Sequence, residues 1–200
     1  MENARAKGAQ ILEGTTVLDL LREGPVTVGV KARNECTDTV EFRAPITLDC
    51  SGREAFTPTR LNWRVREPKL NKVAVWTYYK GALRDEGIDE GATTVAYVPE
   101  KGWFWYIPQH RDMISVRVVA EGKYLTRDGI REPEQIFKRE IEQNLWIKKH
   151  LAQGQQVGKY YLTSEFSFRS RYCASHGLLL AGDAFGFLDP VFSSGVMLAL

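Results

Sequence analysis

The sequence is nearly without net charge: 27 basic and 25 acidic residues leave +2, and they are dispersed along the chain. Such a balance supplies no basic patch, so nucleic acid is not an expected partner. No run of about 18 apolar residues occurs, so no segment reads as a membrane-crossing helix and no membrane partner is expected. The opening stretch MENARAKGAQ has no apolar core and does not read as a secretory signal. Cysteine is scarce: Cys36, Cys50 and Cys173 are odd in number, far apart and in no CxxC. Together with the missing signal, this predicts buried free thiols and a cytoplasmic, reducing compartment. His110, His150 and His176 stand alone without metal-ligand spacing, so each is expected at the surface or in a loop, with no metal site. No GxGxxG turn is present either.

What is present is strand-rich. ENARAKG reads as the last turns of a helix closed by Gly8, and AQILEG as a short strand. TTVLDLLREG, VTVGVKARN and DTVEFRAPI are rich in β-branched residues and separated by turn signals, which predicts an antiparallel meander. ITLDCSG and HGLLLAG are almost wholly apolar and end in Gly- and Asp-bearing turns. Both read as strands of one sheet, buried on both faces. Between them NKVAVWTYYKG, ATTVAYVPEKGWFWYIP and MISVRVVAEG predict a second, mostly antiparallel sheet, and KYYLTSEFSFRSRYC returns as strand. One long helix is expected over 133–152: Pro133 opens it and Gly154 lies just past its end. Phe137, Ile141 and Leu145 recur every four residues, and Glu134 can pair with Lys138.

The expected fold is therefore α/β, or α+β for this stretch: part of a nucleotide-binding sheet (FAD/NAD(P)-binding, by the resemblance described below) with an inserted antiparallel sheet. Residues 1–57 and 170–200 form the first part, and 58–169 the insertion.

Three segments can carry chemistry. In LLLAGDAFGF a strand ends in Gly182-Asp183, at the carboxyl end where open α/β sheets bind ligands. Asp183 can accept hydrogen bonds from a sugar-like hydroxyl, or merely cap the next segment of chain. In DPVFSSGVMLAL, Asp189-Pro190 turns the chain and Ser193 or Ser194 caps a helix starting near Gly195. Its free N–H groups can hold an anion or the edge of a flat ring, unless this is simply a capped core helix. In GWFWYIP, Trp103 and Trp105 fall on one side of a strand, either as packed core or as the wall of a cavity.

Trp103, Trp105, Ile107 and Pro108 match the W-x-W-x-I-P signature, and the chain resembles the flavin-dependent halogenases. GDAFGFLDPVFSSGV resembles their flavin and halide segment, and DCSGREAF their Asp-x-Ser-Gly-Arg segment. The resemblance spans essentially the whole chain. It implies an oxidoreductase in which reduced FAD, delivered by a separate flavin reductase, activates O₂. Chloride or bromide then yields hypohalous acid, which travels a tunnel to an electron-rich aromatic substrate. Gly182, Asp183, Pro190, Gly195 and Val196 would contact FAD, and Ser194 with Gly195 the halide. Trp103, Trp105, Ile107 and Pro108 would form the tunnel signature.

Two departures qualify the match. The GxGxxG turn and the essential lysine that comes after it in the family are missing, and no lysine of this chain takes that role. This predicts an internal fragment of a longer enzyme of secondary metabolism, with Met1 an internal methionine. Phe192 stands where tryptophan-type members carry a glutamate, so the substrate class implied is phenol or pyrrole, in some members tethered to a carrier protein. The alternatives are an FAD monooxygenase or a geranylgeranyl-reductase-like oxidoreductase without halide chemistry, and a truncated chain that binds no FAD alone.

Overall fold

The computed structural model describes residues 1–34, 38–99, 102–164, 167–188, 191 and 195. In chain order, α1 (Glu2–Ala6) precedes β1 (Thr16–Glu23), β2 (Val26–Arg33), β3 (Thr39–Arg43), β4 (Thr47–Asp49), α2 (Phe56–Arg60) and β5 (Arg64–Arg66). Next come β6 (Lys72–Lys80), β7 (Thr94–Val98), β8 (Gly102–Gln109), β9 (Met113–Glu121), α3 (Gly122–Leu125), α4 (Pro133–Gln143) and α5 (Leu145–Leu151). The last elements are β10 (Gln155–Ser164), β11 (Phe168–Ser170), β12 (Ala174–Ser175), β13 (Leu178–Leu180) and β14 (Gly186–Phe187). The fold is mixed, mostly sheet, and divides into Met1–Val65 with Phe168–Leu200 and, separately, Arg66–Ser167. The changeovers thus come after Val65 and Ser167, where the sequence placed them after 57 and 169.

In the first unit the meander forms as expected, with Leu20 opposite Val30 and Val30 opposite Phe42. Gly29 is required there: a Cβ at its φ of +149° would sit 1.9 Å from the Phe42 carbonyl oxygen. AQILEG forms no strand. Gly14, at φ +64°, turns the chain into β1, and one Ile-Leu pair gives no alternation to pack.

β4 and β13 lie side by side and parallel, with Leu48 opposite Leu179 and Asp49 opposite Leu180, so ITLDC and HGLLLAG share a sheet. They are not buried on both faces: Leu48 is 56% and Leu179 43% exposed, whereas Leu178 and Leu180 are buried. The pleat sends alternate side chains to opposite faces, and only one face is covered among the described residues. Cys50, just after β4, and Cys173, just before β12, are exposed, against the expectation of buried thiols, because both lie outside the strands rather than on a covered face; Cys36 lies outside the described residues.

The second unit is a five-stranded antiparallel sheet in the order β10-β6-β9-β8-β7. Phe104, Tyr106, Val116, Val118 and Val75 pack against Ile136, Phe137, Ile141, Ile147 and Leu151 of the helices. Each such side chain, fully buried, contributes about 1.5–3 kcal/mol.

The expected helix 133–152 is broken. Asn144 leaves the helical region at φ −117°, ψ 100°. Its side-chain oxygen accepts the Ile147 N–H at 3.0 Å, and its amide donates to the Tyr97 carbonyl at 3.1 Å. An asparagine that caps a new helix start competes with helix continuation. The break shifts the helical phase, so Leu145 is 80% exposed although Phe137 and Ile141 are buried. The Glu134–Lys138 pair does form, at 2.5 Å.

His150 is buried, not at the surface. Its Nδ1 lies 2.9 Å from the Trp146 carbonyl, its Nε2 3.1 Å from an Asp85 carboxylate oxygen, and its ring stacks on Trp146.

Glu140 is a buried carboxylate held by Arg127 at 2.8 Å and Arg139 at 2.9 Å. Arg139 also donates to the Leu125 and Arg127 carbonyls, so the group ties the segment after α3 to α4. Glu140→Gln is expected to cost about 2 kcal/mol, because two guanidinium groups lose their counter-charge in a poorly solvated place. The check is a urea midpoint. An unchanged midpoint would mean that these arginines are satisfied by carbonyls alone.

Candidate functional site

The site-bearing loops of the first unit grow from the parallel pair. At the end of β4, Asp49 turns its carboxylate back on its own loop, accepting the Ser51 and Thr57 N–H groups, each at 2.8 Å. Ser51 Oγ accepts the Phe56 N–H at 2.9 Å. Burial alone would push the Asp49 carboxyl up, but the hydrogen bonds from Thr57 and Ser51 outweigh it and hold it below its ordinary value. Gly52 and the buried Ala55 sit at φ +65° and +49°, so the loop is tightly wound.

The end of β13 is tied in by the Ala181 N–H, which donates to the Asp49 carbonyl at 3.0 Å. The chain then enters a 3₁₀ turn at Gly182–Ala184, with Gly182 at φ +56°. This turn packs against the Gly52–Glu54 turn. The DCSGR and Gly-Asp segments are therefore brought together beyond the carboxyl ends of two parallel strands, the usual ligand position in such sheets.

A cleft of about 300 Å³ opens beside β4, walled by Leu20, Val30, Leu48 and Phe56. Thr47 and Thr57 also line it, and the hydroxyls of both are buried without a hydrogen-bond partner. Apolar walls of this kind fit a flat, largely apolar portion of a large ligand such as FAD. The role of Asp49 as the loop's organiser, and those two threonines, escaped the sequence. The Asp-x-Ser spacing, which lets a side chain bond the backbone two residues on, was the available signal.

Of the residues expected to touch FAD or halide, Gly182 and Asp183 are partly exposed on this turn. Gly195 is helical and exposed, and no described residue lies within 4 Å of a Cβ built on it. Pro190, Ser194 and Val196 lie outside the described residues, as does Phe192.

In the second unit, Trp103 and Trp105 do share one side of β8, edge to face at 5.6 Å, and both are buried. Strand register extends them into a row: Trp105 lies opposite Arg117, Arg117 opposite Trp76, and Trp76 opposite Tyr161. The Arg117 guanidinium stands 4.7 Å from the Trp76 ring and 5.7 Å from that of Trp105, and Trp76 stacks on Tyr161 at 5.2 Å. By the pleat, this is the face opposite the helix-packed Phe104 and Tyr106. Ile107 and Pro108, further along β8, are half-buried. The Trp103 indole N–H is buried without an acceptor. Aromatic rings fixed by a cation make a rigid wall against which another ring can stack.

A sequence profile described as tryptophan halogenase matches residues 1–200. The chain belongs to the tryptophan halogenase family. It is 30% identical over its whole length to the tryptophan 2-halogenase of Chondromyces crocatus, of which it covers 39%. It is 27% identical, again over its whole length, to the 1H-pyrrole-2-carbonyl-[peptidyl-carrier protein] chlorinase of Pseudomonas fluorescens, covering 45% of it. Among solved structures, the myxobacterial chondrochloren halogenase CndH superposes with a TM-score of 0.88 at 31% identity, over 99% of this chain and 46% of that one. The chain thus spans less than half the length of these relatives. Flavin-dependent halogenases use FAD together with chloride or bromide.

Proposed function

We propose that the whole protein is a flavin-dependent halogenase acting on an electron-rich phenol or pyrrole ring. The observation that carries this is the family match along all 200 residues together with an intact W-x-W-x-I-P row. The first unit is the FAD-side part and the second the substrate side. Reduced FAD, when bound, supplies the oxygen-activating chemistry. Gly182 and Asp183 would hold the flavin's sugar-alcohol chain, Pro190, Gly195 and Val196 its ring side, and Ser194 with Gly195 the halide. Trp103, Trp105, Ile107 and Pro108 would form the tunnel signature, which keeps the enzyme from acting as a plain monooxygenase.

A separate flavin reductase is the expected electron source. A carrier-bound acyl substrate is supported by the pyrrole-carrier-protein chlorinase and brominase among the relatives. Among the described residues no helix is long and apolar enough to cross a membrane, and a cytoplasmic site of action is the proposal.

The test uses a protein of the relatives' length that carries this chain, with a flavin reductase and oxygen. It is offered phenols and a carrier-bound pyrrole, with chloride, bromide or no halide. Halide-dependent product by mass spectrometry is expected. Hydroxylated product alone, whatever the halide, would make it a monooxygenase.

A further inference from the structure

We infer that Arg117 is the positioning residue of the W-x-W-x-I-P row. Its guanidinium, held between Trp76 and Trp105, fixes the Trp105 indole in the orientation on which halogenation rather than hydroxylation depends. The inference rests on the halogenase reading above and adds to it a residue outside the signature.

From Ile114 to Ala120, inside β9, Arg117 is the sole charged residue. β9 is the central strand of its sheet, and on the same face Ser115 and Val119 are buried. A full charge in such surroundings is costly unless neighbouring side chains compensate it. Strand register brings ring faces to it: Trp105 stands directly across on β8, and Trp76 directly across on β6. The guanidinium carbon lies 5.7 Å from the Trp105 ring centre and 4.7 Å from that of Trp76. Both distances are within the range at which an indole face attracts a cation. A planar guanidinium stacks on rings, where an ammonium acts only as a point charge.

Trp76 is itself backed by Tyr161, stacked at 5.2 Å. Trp105 is held from two directions, by Trp103 edge to face at 5.6 Å along its own strand and by Arg117 across the sheet. Without the guanidinium the second restraint is gone, and the indole is freer to leave its rotamer. The two competing reactions start alike. Hydroxylation turns an aromatic C–H into C–OH, using one O₂ and one reduced flavin and releasing one water. Halogenation uses the same O₂ and reduced flavin with a halide and a proton, turns C–H into C–halogen and releases two waters. Their ratio therefore reports the tunnel signature directly, whatever fraction of the enzyme is active.

The experiment uses the full-length enzyme with a flavin reductase, oxygen, bromide and a phenol, and reads both products by mass spectrometry. In Arg117→Leu the ratio of hydroxylated to halogenated product should rise about fivefold, the weight of one partly desolvated cation–π contact. Arg117→Lys keeps the charge and should fall between. Adding Arg117→Leu to Trp105→Leu should raise the ratio no further than Trp105→Leu alone, since the arginine acts through that ring. Trp76→Leu releases the other side of the guanidinium and should move the ratio in the same direction, which keeps the test open should Arg117→Leu fail to fold. A second readout needs no turnover. The near-ultraviolet circular dichroism of the Trp103 and Trp105 pair should weaken in Arg117→Leu and be largely kept in Arg117→Lys. A wild-type ratio in Arg117→Leu or Trp76→Leu, an unchanged dichroism in Arg117→Leu, or a double variant worse than Trp105→Leu would overturn the inference. A wild-type enzyme that gives no halogenated product would sink the halogenase reading instead, and the dichroism would still decide whether Arg117 orders Trp105.

Discussion

Asp49→Ala is expected to destabilise the chain by about 3–5 kcal/mol, since hydrogen bonds to a charged acceptor contribute about 1.5–3 kcal/mol each and two are lost. The Ser51 and Thr57 N–H groups that now point at the carboxylate would be left without it, Thr57 in a fully buried place. By contrast, the Arg43–Glu23 pair is shorter, at 2.6 Å, but both side chains are more than half exposed. Its loss should therefore cost little, since exposed ion pairs are screened by solvent. Burial, not distance, separates the two cases. The urea midpoint should fall in Asp49→Ala, and Asp49→Asn should recover part of it by keeping one acceptor oxygen. The pH dependence has a definite sign. The Asp49 carboxyl is held below its ordinary value in the folded chain. Its contribution is therefore fully present above about pH 4, the unfolded carboxylate range, and is lost as pH falls through the lower folded value. The stability gap between wild type and Asp49→Ala should close over that acid range. A gap that persists at the lowest pH, or a midpoint unchanged at neutral pH, would show that the carboxylate does not organise the loop.

The chain announces its strands more clearly than their surroundings. The meander and the five-stranded sheet arise from β-branched runs between turn residues, and local propensity was enough. The apolar runs ITLDC and HGLLLAG identified β4 and β13 as partners, but hydrophobicity cannot say which face gets covered, and Leu48 and Leu179 ended up outside. The helix break at Asn144 was hidden by an uninterrupted four-residue period. It depends on a hydrogen bond to Tyr97, 47 positions away, which no local pattern contains. His150 is buried for a similar reason, having a partner in Asp85, 65 positions back. At the site, DCSGR and Gly-Asp were each visible as ligand-type turns, and only parallel pairing set them together. Trp103 and Trp105 were visible by their spacing. Arg117, Trp76 and Tyr161 were not, because they join that row only once four strands are placed in register.

Gly195→Val should remove halogenation while sparing the flavin, with product formation falling on the order of 10²-fold, the scale of losing one preorganised contact to a reacting charge. A halide has no directional chemistry and is best held by N–H donors at a helix start, where a side chain would stand in its way. The structure makes this substitution a clean probe. Among the described residues a Cβ at Gly195 meets nothing within 4 Å, and the residue is not in the left-handed region, so its backbone accepts valine. Valine in a helix costs under about 1 kcal/mol and is no worse there than glycine. Stability and flavin occupancy should therefore stay at wild-type levels, with Asp183 still available to the flavin chain. In the full-length enzyme, flavin reoxidation by O₂ should proceed while halogenated product disappears with both chloride and bromide. Gly195→Ala, with one methyl group, should fall between the two. A valine variant that halogenates normally would reduce this segment to an ordinary helix start and move the halide site elsewhere. A variant that loses flavin together with product would mean that the contact of Gly195 to the flavin ring outweighs its contact to the halide.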